Sequence, residues 1–163
     1  MKRQLNRIVG ITISILLFVC SISWAVTHSE LKKYLVELPG WKAETPQGMT
    51  MENGSFKMVN ATRTYTRGDK TLFVTISYGN SAQQFNINTP VGFKMETDTE
   101  LAFTRNINGK KVSIFHSKTD KTGTITVLIS PKLVLAVNYE NMDWKEALEL
   151  TKKFNWKRLE SIK

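Results

Sequence analysis

Between residues 101 and 139 apolar and polar positions alternate with a period of two, the mark of half-buried strands. Leu101, Phe103, Arg105 and Ile107 share one face, Ala102, Thr104 and Asn106 the other, and the run stops at Asn108-Gly109. Asn-Gly after such a run signals a hairpin, because a type I′ turn needs positive φ at both central positions. The chain returns through Val112, Ile114 and His116, turns over residues 118–123, and runs out through Ile125, Val127 and Ile129. Pro131-Lys132 marks the next reversal. The last strand sets Leu133, Leu135, Val137 and Tyr139 on one face, with Val134 and Ala136 on the other. Apolar residues on both faces predict a sheet covered on both sides at this point. Upstream, residues 56–66 and 71–78 predict a second hairpin across Arg67-Gly68-Asp69-Lys70. Arg63 shares a face with Val59, Ala61 and Tyr65, which predicts a sheet edge or a carboxylate partner, since an unpaired buried charge is costly.

Helical periodicity brackets these strands. Thr27 with Glu30 three residues later forms a capping box, flanked by Val26 and Leu31 as a hydrophobic staple. Leu31, Tyr34, Leu35 and Leu38 then make one apolar stripe that Pro39-Gly40 ends, and Trp41 follows as a packing anchor. At the other end Asp143 caps a helix with Glu146 at its third position. Trp144, Ala147, Leu148, Thr151 and Phe154 form its buried stripe, and Lys152 and Lys153 complement its C-terminal dipole. The helix breaks near Asn155, leaving Trp156, Leu159 and Ile162 for a terminal turn. Residues 45–55 and 79–89 read as connections, the first for its Pro and Gly, the second for its Asn, Gln and Ser. The pattern predicts an α+β fold: a mainly antiparallel sheet of five or six strands, packed by an N-terminal and a C-terminal helix.

The first 25 residues follow a different rule. Lys2, Arg3 and Arg7 precede an uncharged apolar run, and Ser23-Trp24-Ala25 places small residues where a signal peptidase cuts. They predict a signal peptide, residues 1–25, followed by one domain, residues 26–163, in the periplasm or secreted. If the segment is kept, the same run is long enough to anchor the chain in a membrane. Cys20 is the one cysteine, so the mature chain has no disulfide and rests on its core. Three of the 23 basic residues and no acidic residue leave with the leader, so a formal charge of +9 falls to +6. That excess favours an anionic surface or an acidic protein as partner. Without a dense basic run interleaved with aromatics, nucleic acid is not expected.

The sequence carries no Gly-x-Ser-x-Gly, no His-Glu-x-x-His and no phosphate-binding glycine loop. His28 and His116 are the two histidines, and His116 stands on a strand face as a hydrogen-bonded residue, although a Ser-His-Asp site can be assembled in space from any part of a chain. Met49, Met51 and Met58 lie in a Gly- and Asn-containing stretch, where thioethers would select Cu(I), with Met95 or a histidine available to complete the set; the plain alternative is methionine as gap-filling packing. Glu96, Asp98 and Glu100 would point one way in an extended chain, as a solvated acidic edge or a weak Ca²⁺ site. Successive hairpin turns alternate between the ends of a meander, so Lys110, Lys111 and Lys132 fall at one end as a candidate basic cluster for an anionic partner.

The Leu38-Pro39-Gly40-Trp41 entry, the Arg63-x-Tyr65 strand, the meander and the closing amphipathic helix resemble small exported bacterial proteins of uncharacterised function. In layout they are also similar to the α/β/α sandwich of the PsbP-like photosystem accessory proteins. That resemblance implies a non-catalytic accessory or binding module; separately, no cofactor is expected, with Cu(I) as the alternative. The expectation is therefore an exported, non-enzymatic binding protein, with a Cu(I)-handling protein and an enzyme with a spatially assembled site as the alternatives.

Overall fold

A computed structural model describes residues 26–79 and 89–162. The expected leader, residues 1–25, and the centre of the polar connection, residues 80–88, lie outside the described residues. Among the described residues nine antiparallel strands form one sheet: β1 (Lys42–Ala43), β2 (Gln47–Asn53), β3 (Phe56–Arg67), β4 (Lys70–Gly79), β5 (Lys94–Glu96), β6 (Glu100–Ile107), β7 (Lys110–Ser117), β8 (Thr122–Ser130) and β9 (Leu133–Glu140). The order is β1-β3-β4-β9-β8-β7-β6-β5, with β2 also paired to β3. The α+β class and the antiparallel sheet are as expected. The strand number is not: the six long strands match the alternating runs, and β1, β2 and β5 are additions at the edges. β1 and β5 are only two and three residues long, too short to show a period. β2 lies in the stretch whose Pro46, Gly48 and Gly54 had marked a connection.

Three helices among the described residues accompany the sheet: α1 (His28–Lys32), α2 (Trp144–Lys152) and α3 (Trp156–Leu159). All three place residues in the same buried cluster as one face of the sheet, among them Leu31, Leu148 and Leu159 against Val59, Ile76, Leu135 and Ile125. Along that face, Tyr65, Leu72, Tyr139, Gly123, His116 and Leu101 stand in one cross-strand row. On the other face Val134 and Ala136 are buried outside that cluster, whereas Phe73 and Phe115 are exposed. Among the described residues the helices therefore do not divide between the two faces.

α1 begins where the capping box places it, with the Thr27 side chain accepting from Glu30 N. It ends after Lys32 rather than running to Leu38, although Leu31, Leu35 and Leu38 are all buried as the stripe requires. The reason lies in what takes the next carbonyls. Arg63 Nη1 donates to Leu35 O at 2.8 Å, and the Tyr65 hydroxyl donates to Val36 O at 2.9 Å. The last carbonyls of α1 are closed by backbone N–H groups of residues 33–35, and side chains of β3 take the carbonyls that follow. The predicted partner of Arg63 is Glu37, and Arg63 Nε also donates to Glu44 O at 2.7 Å. Trp41 is buried, with the Arg67 guanidinium 4.6 Å from its ring centroid. At the C-terminal end Asp143 caps α2 by accepting from Lys145 N, and Asn155 takes a left-handed conformation (φ 36°) between α2 and α3.

Tyr65 yields a pH prediction. It is fully buried, and that burial pushes its phenol up to about 12, against the opposing pull of the Arg63 cation. The unfolded chain has an ordinary phenol that ionises near pH 10, so it loses the proton first. The stabilisation is complete below about pH 10 and is lost as the pH rises towards 12. Urea midpoints measured across this window should decline, and Tyr65→Phe should flatten part of the decline.

Candidate functional site

Three places gather the polar and soft side chains that chemistry needs. The first is the hairpin of β2 and β3, which turns through Gly54 at φ 57°. Met51 pairs directly with Met58, and Met49 pairs with Asn60, so alternation sets all three methionines on one face of the hairpin. Met49 and Met51 are 47% and 48% exposed, while Met142, in the core, is 2% exposed. Met142 is the packing methionine here; Met49 and Met51 fill no gap. The further ligands considered for the set are elsewhere. Met95 is on β5, at the opposite edge of the sheet. His28 Nδ1 is bonded to Thr50 Oγ1 at 3.1 Å, and Thr50 alternates away from the methionine face. His116 is on β7.

The second place is a cleft of about 670 Å³ between the β6–β7 turn and the junction of α2 and α3. Lys110, Lys152, Lys153 and Lys157 line it with one carboxylate, Glu160. Lys110 Nζ donates to Ile129 O at 3.0 Å and is paired with Glu160. Lys152 is paired with Glu149 at 2.6 Å. Lys153 and Lys157 are exposed and have no ion pair among the described residues. The expected trio does fall at one end of the meander, since Lys110 and Lys111 open β7 beside the β6–β7 turn and Lys132 occupies the β8–β9 turn. It does not form one patch. Lys110 and Lys111 are consecutive in a strand and face opposite ways. Lys110 joins the helix lysines, whereas Lys111 and Lys132 are not in the cleft lining.

The third place surrounds His116, beside a cleft of about 650 Å³ at the other end of the same sheet face. His116 is 4% exposed; its Nδ1 lies 3.2 Å from Thr122 O and 3.0 Å from the Tyr139 hydroxyl, and the two rings stack at 5.9 Å. Burial, with a smaller contribution from Asp143, raises the Tyr139 phenol well above its ordinary range. The cleft wall carries both signs of charge, mostly compensated: Glu146 binds Lys70 and Arg67, and Glu96 binds Lys94 and Lys118. Hydrogen bonds from Lys94 and Lys118 hold the Glu96 carboxyl down at about 2. Among the described residues no serine, threonine or cysteine lines this cleft, so it brings no hydroxyl or thiol of those residues beside His116. Glu96, Asp98 and Glu100 are not aligned as an extended trio, because the chain reverses between β5 and β6 with Thr97 N donating to Glu100 O at 2.9 Å. Among the described residues no group of three or more His, Cys, Asp and Glu is placed to hold a metal ion, and no helix is long and apolar enough to cross a membrane.

The chain matches no protein-family profile and no curated protein. It is similar to a solved structure described as a GTP binding regulator (TM1622) from Thermotoga maritima, at 14% identity and a TM-score of 0.37, over 79% of this chain and 84% of that one.

Proposed function

We propose that the protein is an exported, non-enzymatic binding or accessory module that engages an anionic surface through the lysine cleft. The observation that carries this reading is the composition of that cleft: four lysines converge from two separate parts of the chain on a space with a single carboxylate. Like charges brought together repel, and the repulsion is relieved when an anion enters. With Glu160 in the lining and Glu149 paired to Lys152, the four lysines leave a local formal charge of +2, a third of the +6 expected of the mature chain, which focuses attraction on one end of the molecule. The non-enzymatic part of the reading is supported by His116, whose Nδ1 is engaged by Tyr139 and Thr122 beside a cleft that, among the described residues, has no serine, threonine or cysteine in its lining. The α+β scaffold then acts as a rigid support for a charged surface.

Co-sedimentation with phosphatidylglycerol vesicles, compared with phosphatidylcholine vesicles, tests the reading. Binding should be specific for the anionic vesicles and should weaken with salt over the ordinary screening range. Each lysine near an anionic bilayer contributes about 1 kcal/mol, so reversing both Lys153 and Lys157 to Glu should weaken binding at least about thirtyfold. Both side chains are exposed, so the cost to stability should be confined to the helix-dipole contribution of about 0.3–1 kcal/mol per site, which a melting curve reads separately. Unchanged binding of K153E/K157E, or a loss seen only with K111E/K132E, would place the contact elsewhere and remove the proposal.

A further inference from the structure

We propose that the β2–β3 hairpin binds one Cu(I) ion through the thioethers of Met49, Met51 and Met58, a site independent of the lysine cleft. Met51 and Met58 are directly opposed in register, and Met49 stands diagonal to Met58 on the same face. Directly opposed Cβ atoms lie about 4.5–5.5 Å apart and diagonal neighbours about 7–8 Å apart, within reach of long side chains. Methionine has three rotatable side-chain bonds, so three sulfurs can close on one ion without moving the backbone. Met49 and Met51 are 47% and 48% exposed, so the site is open to an arriving ion.

The surroundings favour a soft monovalent cation. The ion pair of Glu52 with Lys57 is also in register, but those residues alternate to the other face of the hairpin. Among the described residues the methionine face is left with uncharged neighbours in the paired strands. Asn60, opposite Met49, has its Oδ1 buried without a hydrogen-bond partner among the described residues, and an ion on the adjacent thioethers would give that oxygen an electrostatic partner. Neither Met95 nor His116 can contribute. β5 is seven strand spacings from β2, over 30 Å away at about 4.8 Å each. The donor set is therefore thioether alone, which selects Cu(I) over zinc or calcium.

Thioethers carry no proton at working pH, so binding releases none and the affinity should not follow pH as it does for thiolate, imidazole or carboxylate sites. No electron is transferred: the ion arrives and leaves as Cu(I), exchanging its previous ligands for three neutral sulfurs. Three neutral ligands on an exposed edge strand suit passage of the ion to a stronger site rather than its storage.

The test uses the whole protein with methyl-labelled methionine, titrated with Ag(I) as a redox-inert stand-in and then, without oxygen, with Cu(I). One equivalent should shift the methyl resonances of Met49, Met51 and Met58 and leave those of Met95 and Met142 in place. The affinity should be the same from about pH 5 to about pH 8. Met51→Leu keeps side-chain volume and should keep the melting temperature, yet should weaken Cu(I) binding by at least about 100-fold, the upper end of what losing a mere outer-shell partner costs. The proposal falls if no resonance moves, if Met95 responds equally, if the triple Leu variant binds as well as the parent, or if binding follows pH and disappears in His28→Ala.

Discussion

Gly123→Ala is expected to destabilise the protein by about 3 kcal/mol or more, at the upper end of overpacking costs, as measured by urea unfolding. Gly123 sits in β8 opposite both Tyr139 and His116. A Cβ there would press into Phe115 O and into the Tyr139 hydroxyl and ring. The carbonyl belongs to the β7–β8 ladder, so it can give way only by opening strand pairing, and the phenol can give way only by leaving His116. Gly68→Ala is the control. Unlike Gly123, Gly68 is left-handed, at φ 64°, and nothing lies within 4 Å of the new methyl. Only the backbone term of about 1–2 kcal/mol remains. Equal losses in the two variants would mean that the Tyr139–His116 row yields readily, contrary to its burial.

Arg63→Met is expected to cost about 2 kcal/mol, since its stem is kept and the loss comes chiefly from the part-buried Leu35 carbonyl left without its donor. The side chain is 9% exposed and reaches Leu35 O, Glu44 O and Glu37. Its carboxylate partner is 73% exposed, so Glu37→Gln should cost under about 1 kcal/mol. The contrast separates the two roles of Arg63: the ion pair is minor, and holding the backbone of residues 35–44 against β3 is the larger part. Hydrogen exchange should show those residues losing protection in Arg63→Met and keeping it in Glu37→Gln. If Glu37→Gln proves as damaging as Arg63→Met, the ion pair dominates instead.

The long strands were legible because each has one face committed to a single core, so alternation survives in Val112-x-Ile114-x-His116 and its neighbours. The same logic hid β2. Gly48 reads as a breaker, yet in the sheet it is a place of close approach: a Cβ would lie 2.7 Å from Lys32 Cε and 2.8 Å from His28 Cβ, so α1 packs where a side chain would stand. Asn53-Gly54 carried the turn signal, but exposed flanking residues gave it no apolar alternation to end. For the candidate sites, turn parity placed Lys110, Lys111 and Lys132 at one end. It could not show that Lys152, Lys153 and Lys157 would arrive from α2 and α3 to surround Lys110. The three methionines were visible as a composition. Their common face depends on the Met51–Met58 register, which only the paired strands define.

The pairing of β4 with β9 has a consequence for the order of assembly. β6 to β9 are joined by short turns and can zip locally, whereas β4 must wait for a partner more than fifty positions later, Thr71 meeting Glu140 and Tyr78 meeting Leu133. Contacts of such separation form late, because the intervening chain must first be closed into a loop. During synthesis the N-terminal hairpin therefore has no neighbour on the β4 side until almost the whole chain exists. A polypeptide that has to pass through a membrane pore unfolded would gain time from that delay, because the strand that completes the first half of the sheet is the last one made.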